Sequence, residues 1–267
     1  MKKRILSIGL IGVLAFSLMG CGSKSDDKTI KIGVSAVPHE EIVNEIIPDL
    51  EAEGYKVEVT EYSDYVIPNT ALQEGELDAN YFQHIAYLNE TNESKGYNLT
   101  YTAEVHVEPM GIYSNKIKNI SDLKEGDKVA IPNDPSNEAR ALRLLQAAGL
   151  IKINDSETAT PKDITENKLN LKFEELEAAQ LPRSLDDFDA AVINGNYALQ
   201  AGLDVNKDGL YIEDKDDKNI KNMRNVLAVK KGNENSEKIQ ALTKALTSDK
   251  VKKFIEEKYK GTVIPVF

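Results

Sequence analysis

The chain has 267 residues, with 33 lysines and arginines against 44 aspartates and glutamates, and a formal net charge of −11. So acidic a chain repels nucleic-acid phosphates and anionic lipid headgroups, which argues against both as partners. A single cysteine excludes an internal disulfide and a thiolate metal site, so stability must come from burial; 41% apolar residues suffice for one large core or two moderate ones.

The first element stands outside any core. Lys2, Lys3 and Arg4 precede a 15-residue apolar stretch from Ile5 to Met19, the pattern of an export signal and too short to span a bilayer comfortably. The stretch closes on Leu18-Met19-Gly20-Cys21. A lone cysteine after a small residue at a signal boundary resembles the lipobox of bacterial lipoproteins, which implies acylation of Cys21 as the mature N-terminus. Met19 stands where such motifs usually carry a smaller residue. Removing residues 1–20 leaves 30 basic against 44 acidic side chains, a net charge of about −14. Residues 21–28 are polar and aperiodic and read as a short flexible tether.

Thr29 to Val34 alternates as a strand, and after Pro38-His39-Glu40 the spacing of Ile42, Val43, Ile46, Ile47 and Leu50 is helical. Pro48 lies inside that pattern and predicts a kink or break, and Gly54 ends the helix. Lys56 to Tyr62 is a second strand, Pro68 to Gly75 a short helix with proline in its first turn. Leu77 to Phe82 reads as a strand running into a helix that carries Gln83, His84, Tyr87 and Leu88. Leu99 to Ser114 is extended and interrupted by Pro109, a segment suited to pass from one lobe to another. Lys128 to Ile131 begins a new strand, and a helix from Asn137 to Ala148, stopped by Gly149, repeats the opening order. Further strands fall at Leu169 to Glu174, Phe188 to Asn194 and Arg224 to Val229, with helical stretches near Leu176 to Leu181 and Asn196 to Leu203. Helices over Ser236 to Leu246 and Asp249 to Tyr259 close the chain. Two strand-loop-helix openings suggest two α/β lobes, about 29–113 plus 226–267 and 114–225, whose ligand site should lie beyond the strands' carboxyl ends.

Catalytic signatures are thin: the chain has no Gly-x-Ser-x-Gly elbow, no His-Glu-x-x-His helix and no glycine-rich phosphate loop. Three histidines, His39, His84 and His106, would suit zinc if the fold brought them together with acids, but spacing alone does not. Asp204-Val205-Asn206-Lys207-Asp208-Gly209 matches the start of a calcium loop, yet Lys215 holds the position that needs a bidentate glutamate, which leaves an acidic turn. Arg140 falls near the start of the helix expected from Asn137, where a cation opposes the macrodipole. Such a position makes sense if guanidinium and helix end jointly hold a carboxylate, the alternative being a surface pair with Glu138 or another acid. Tyr62, Tyr65, Tyr81, Phe82, His84 and Tyr87 form a dense aromatic cluster at strand-to-helix junctions, suited to a half-wet pocket or to a core. Asn69, Asn194, Asn196 and Asn225 lie near strand ends, as head-group ligands or as ordinary turn residues.

Several motifs then fit together: Val37-Pro38-His39-Glu40, Ser63-Asp64-Tyr65-Val66-Ile67-Pro68-Asn69, Asp78-Ala79-Asn80-Tyr81-Phe82-Gln83-His84, Pro132-Asn133-Asp134-Pro135-Ser136-Asn137 and Val192-Ile193-Asn194-Gly195-Asn196-Tyr197-Ala198. In this order, from Cys21 to the end, the chain resembles the NlpA/MetQ family of methionine-binding lipoproteins. The resemblance implies an α/β, two-lobed periplasmic-binding-protein-like fold of type II with its ligand cleft between the lobes. It further implies a non-enzymatic, lipid-anchored capture protein at the extracytoplasmic membrane face, without cofactor or metal. Its partners would be L-methionine or a related ligand and the permease and ATPase of an ABC importer. By motif, Arg140 would hold the ligand carboxylate, and Asn194 and Asn225 its head group. Tyr65, Tyr81, Phe82, His84 and Tyr87 would enclose the side chain, with His106 and Asn137 also at the site. Ala86 stands where the family commonly has proline, which should loosen the helix start beside the pocket.

Overall fold

A computed structural model describes residues 28–216 and 220–267; the export signal, Cys21 and the tether before Lys28 lie outside the described residues. The chain opens with β1 (Thr29–Val34), whose Ile30, Ile32 and Val34 alternate onto one buried face. A turn through Pro38 and His39 leads to α1 (Glu41–Ala52), and β2 (Lys56–Glu61) lies parallel to β1. α2 (Ile67–Glu74) carries Pro68 in its first turn and stops at Gly75, whose φ of +84° costs glycine nothing. β3 (Ala79–His84) also runs parallel to β1, and α3 (Ile85–Lys95) follows without a loop. β4 (Leu99–Val107) completes this first excursion.

After Glu108-Pro109-Met110 the chain enters a second sheet with β5 (Gly111–Tyr113), β6 (Lys128–Pro132) and α4 (Pro135–Ala147). A small ribbon of β7 (Lys152–Ile153) and β8 (Ile164–Glu166) leads to β9 (Lys172–Leu176), β10 (Ala190–Ile193) and α5 (Gly195–Gln200). α6 (Val205–Asp208) and β11 (Tyr211–Ile212) follow. The chain then returns to the first sheet through β12 (Arg224–Lys230), with α7 (Glu237–Leu246), α8 (Asp249–Tyr259) and β13 (Ile264–Pro265) closing it. The first sheet has the order β13-β4-β12-β3-β1-β2 and the second β11-β5-β10-β6-β9. Each lobe is thus a mixed sheet with its own core.

In the first lobe, α1, α7 and α8 bury Ile42, Ile46, Leu242 and Ile255 against β1 and β12. The opposite face holds Leu72, Leu88, Val226 and Ala228. β12 is therefore buried on both faces, which is why it reads as an almost continuous apolar run. The second lobe buries Val129, Ile131, Leu142 and Leu145 on one side of its sheet, and Ala191, Ile193, Leu181 and Tyr197 on the other.

The structure departs from the sequence expectation in several places, each for a local reason. α1 runs unbroken through Pro48, because Ile46 and Leu50 on either side are both anchored in the core. Gln83 and His84 belong to β3 and not to the helix after it. α3 begins at Ile85 despite Ala86, since His84 caps it by accepting the Tyr87 backbone N–H at 3.1 Å. The stretch after Leu176 is a single 3-10 turn, Ala178–Gln180. Asp204 caps the short α6, so the calcium-like stretch is an acidic turn. Both lobe crossings shift by a few residues: β5 pairs with β10 in the second sheet, and Arg224 and Asn225 already pair with β4 in the first.

Pro48 is exposed and sits in a helix interior, where proline costs about 3 kcal/mol relative to alanine. Pro48→Ala should therefore raise the urea midpoint of unfolding, by up to about 3 kcal/mol in stability. An unchanged or lower midpoint would show that the helix is already relaxed around the ring.

Candidate functional site

The strand ends of both sheets face a narrow pocket between the lobes. β3 supplies one wall. Its alternation sends Phe82 and His84 to the cavity, while Tyr81 points behind it into the first core. Tyr65, from the loop before α2, and Tyr87, in α3, complete an aromatic box. Ring centroids lie 6.0 Å apart for Tyr65 and Phe82, 5.7 Å for Tyr65 and Tyr87, and 6.0 Å for Phe82 and Tyr87. The Tyr87 hydroxyl donates to the Tyr65 carbonyl at 2.9 Å, which locks the two rings together.

The loop that carries Tyr65 is held by amides. Asn69 and Gln83 exchange two hydrogen bonds of 2.7 and 2.6 Å, and Asn80 donates to Asn69 at 2.9 Å and to the Pro68 carbonyl at 3.1 Å. All three amides are buried, so each unmade bond would cost more than a surface one gains.

The second lobe contributes the polar wall. Asp134 caps α4 and accepts from the Asn137 amide nitrogen at 2.9 and 3.0 Å, which turns the Asn137 carbonyl toward the cleft. That oxygen accepts from His84 Nε2 at 3.0 Å and from Asn194 Nδ2 at 2.7 Å, joining the lobes. Because His84 Nδ1 accepts from Tyr87, its proton must sit on Nε2; burial, with Arg140 adding to it, lowers the imidazole pKa to about 4. Tyr65 donates to Asn196 Oδ1 at 2.5 Å and Tyr197 to the Ser63 carbonyl at 3.1 Å, two more bonds across the cleft. Asn194 Oδ1 and Asn196 Nδ2 are buried with no partner among the described residues.

Arg140 is the sixth residue of α4, beyond the first turn, and is 5% exposed. The helix end therefore has little to do with its charge. Its Nε and Nη2 donate to Glu213 at 2.9 and 2.5 Å, and Nη2 also donates to the Glu108 carbonyl at 2.8 Å. Burial works against this charge, but Glu213 and Glu108 outweigh it and raise the guanidinium pKa. One edge of the fork is thus taken by Glu213, and Nη1 has no hydrogen-bond partner among the described residues. The surface pair with Glu138 offered as the alternative does not describe this arrangement.

Eight of the ten residues expected at the site line the cavity: Tyr65, Phe82, His84 and Tyr87 from the box, and Asn137, Arg140, Asn194 and Asn225 from the polar side. Tyr81 and His106 do not. They stand one layer behind it, hydrogen-bonded to each other through the Tyr81 hydroxyl and His106 Nδ1, because each occupies the inward register of its strand. His106 Nε2 donates to Glu108 at 2.7 Å, and His39 Nε2 lies 3.1 Å from Asn225 Oδ1 and 3.6 Å from Glu108. β12 is irregular at Asn225, a bulge that re-aims this side chain. His39, His106 and Glu108 could offer three metal-ligating atoms within 4.8 Å of one another. Both Nε2 atoms are engaged, His39 with Asn225 and His106 with Glu108, while His39 Nδ1 is buried without a partner among the described residues, and His84 is not part of the group.

Sequence reasoning passed over Glu108, Gln83, Gly195 and Glu213. The first and last were two acids among 44, although both follow strand ends, where sites of such sheets lie. Gly195 permits a close approach: a Cβ there would sit 2.6 Å from the Glu108 Cβ.

Comparison with known proteins agrees with this architecture. The methionine-binding lipoprotein MetQ of Bacillus subtilis is 39% identical over 275 residues, spanning 100% of this chain and 99% of that one. The structure of a nutrient-binding protein from Burkholderia cenocepacia bound to methionine is 43% identical with a TM-score of 0.84, covering 89% of this chain and 100% of the other. An ABC-transporter periplasmic substrate-binding protein from Coxiella burnetii is 40% identical with a TM-score of 0.83, over 89% and 100%. The family model of the NlpA lipoproteins matches residues 30–267. With two lobes, a shared cleft and a match over nearly its whole length, this chain belongs to the NlpA lipoprotein family.

Proposed function

We propose that this protein captures methionine, or a close derivative, in the cleft and hands it to an ABC importer while Cys21 keeps it at the membrane. The observation that carries the reading is the chemical content of one cavity. An acceptor, Asn194 Oδ1, and a donor, Asn196 Nδ2, both without a partner among the described residues, stand with Arg140 opposite a box of three aromatic rings. An amino-acid head group supplies the missing donor and acceptors. A thioether fits the rings, each good contact contributing about 0.3 to 1.5 kcal/mol. The Burkholderia relative binds methionine, and the Coxiella relative is an ABC-transporter component, which supports both halves of the reading.

Closure follows from the bonds that span the cleft. Tyr65 with Asn196, Tyr197 with Ser63 and His84 with Asn137 join the lobes only when they meet, so a ligand that contacts both walls shifts the equilibrium toward the closed form. The lobes that move would be 29–107 with 224–267, and 111–212, hinged at the two crossings. The role proposed is capture without covalent chemistry, in keeping with the substrate-binding relatives.

Arg140→Ala should weaken methionine binding by at least about 1.5 to 3 kcal/mol, the size of a charged hydrogen bond, as read by calorimetry on protein whose folding is checked by its melting curve. Unchanged affinity would refute the carboxylate role. Phe82→Leu should reduce the preference for methionine over norleucine, which replaces sulfur by a methylene, by about 0.3 to 1.5 kcal/mol; an equal preference in both proteins would remove sulfur-aromatic contact from the account. Cys21→Ser should give unacylated protein that no longer partitions with membranes. Acylation persisting in its mass spectrum would place the anchor elsewhere.

A further inference from the structure

We propose that Glu138 and Glu175 form a site for a hard divalent cation, of the calcium or magnesium class, in the seam between α4 and the edge strand β9 of the second lobe. Neither residue lines the cleft pocket, so the site stands whatever the cleft binds. Glu138 lies in the first turn of α4, and its carboxyl group is turned toward that of Glu175. β9 brings the second residue there, because Glu175 shares a strand face with Phe173, which packs against the core that α4 covers through Leu142 and Leu145. Since β9 closes one edge of its sheet, Glu175 keeps a side open to water. Glu138 does not: it is 6% exposed, and its Oε1 is buried with no hydrogen-bond partner among the described residues.

Two ionised carboxylates are acceptors only, so neither can satisfy the other, and a charge denied water by burial is costly unless it is paired. The surroundings add more charge of the same sign. Burial and then the charge of Glu175, with smaller contributions from Asp134 and Asp163, push the Glu138 pKa up to about 7. Asp134 and Asp163 are themselves engaged: Asp134 accepts from Ser136 and Asn137, and Asp163 from Asn154 and Thr160. They deepen the negative potential, while Glu138 and Glu175 hold the open oxygens. Both bases of α4 are occupied elsewhere, Arg140 with Glu213 and Arg143 with the Ser156 and Glu157 carbonyls at 2.9 and 2.7 Å. What the pair lacks is a cation. A divalent ion matches the charge of two carboxylates, and a donor set of oxygen alone, without sulfur or imidazole, suits hard ions. Water on the open Glu175 side completes the roughly six or more oxygen ligands that such ions take.

The test is calorimetric titration of chelator-stripped protein with calcium chloride and with magnesium chloride, above neutral pH where both carboxylates are ionised. At least one of the two ions should bind saturably and raise the melting temperature. Glu138→Gln and Glu175→Gln should each weaken that binding by at least about tenfold, the scale of one charged contact, and shrink the rise in melting temperature. Glu174→Gln, which removes an exposed acid from the other face of β9, should leave the binding unchanged. If Glu138→Gln does not fold, Glu175→Gln carries the test alone, since its side chain is exposed on an edge strand. No saturable binding of either ion up to about 10 mM, beyond the range of weak extracellular calcium modules, would mean that the pair only shares a proton, and overturns the proposal. Binding that survives both substitutions at full strength overturns it as well, and equal weakening by Glu174→Gln would assign the ion to diffuse surface charge and do the same.

Discussion

The buried guanidinium of Arg140 is the interaction on which the site is built. It bonds to the Glu213 carboxylate and to the Glu108 carbonyl, and Glu213 in turn accepts from the Met110 backbone N–H at 3.1 Å. Glu108 and Met110 flank the first crossing between the lobes, and Glu213 begins the second. One charged group on α4 thus pins both crossings. Removing either half of such a buried pair leaves an uncompensated charge, which typically costs about 3–5 kcal/mol. The same pairing takes one edge of the fork, so the residue proposed to meet the ligand carboxylate also ties the two crossings together.

Burial then organises the rest of the polar wall. These amides and imidazoles are buried, so an unmade hydrogen bond is costly, and the chain Asp134, Asn137, His84 and Asn194 shows how one cap aspartate fixes the orientation of three side chains in turn. Where that chain stops, at Asn194 Oδ1, an acceptor is left over, and Tyr65 leaves a donor on Asn196 in the same way. The histidines are kept neutral by the same desolvation, which makes them fixed-tautomer hydrogen-bonding groups and not cations.

Much of the fold was legible because local patterns and packing agree. The alternation of β1, the spacing in α1 and the glycines after α1, α2 and α4 mark these elements from sequence, and Phe82 and Tyr87 look like site residues because aromatic rings cluster at strand-to-helix junctions. Legibility failed where the decisive contact is long-range. Glu213 lies 73 positions from Arg140 and is indistinguishable in sequence from its acidic neighbours. Pro48 misleads because a helix anchored by Ile46 and Leu50 outweighs the local cost of the ring. Tyr81 and His106 mislead because a motif does not say which face of a strand its residues occupy, and one register step separates a cavity wall from the core behind it.

The sequence by itself determined the lone Cys21 at a signal boundary, the two repeated strand-loop-helix openings and the order of motifs that place the chain in its family. These are local and compositional properties, written in residue type and spacing. Only the tertiary structure decided which side chains share the cleft and that Glu213 takes one edge of the Arg140 fork. Charge pairing and burial depend on residues brought together from distant parts of the chain, and spacing along the sequence carries no record of that meeting.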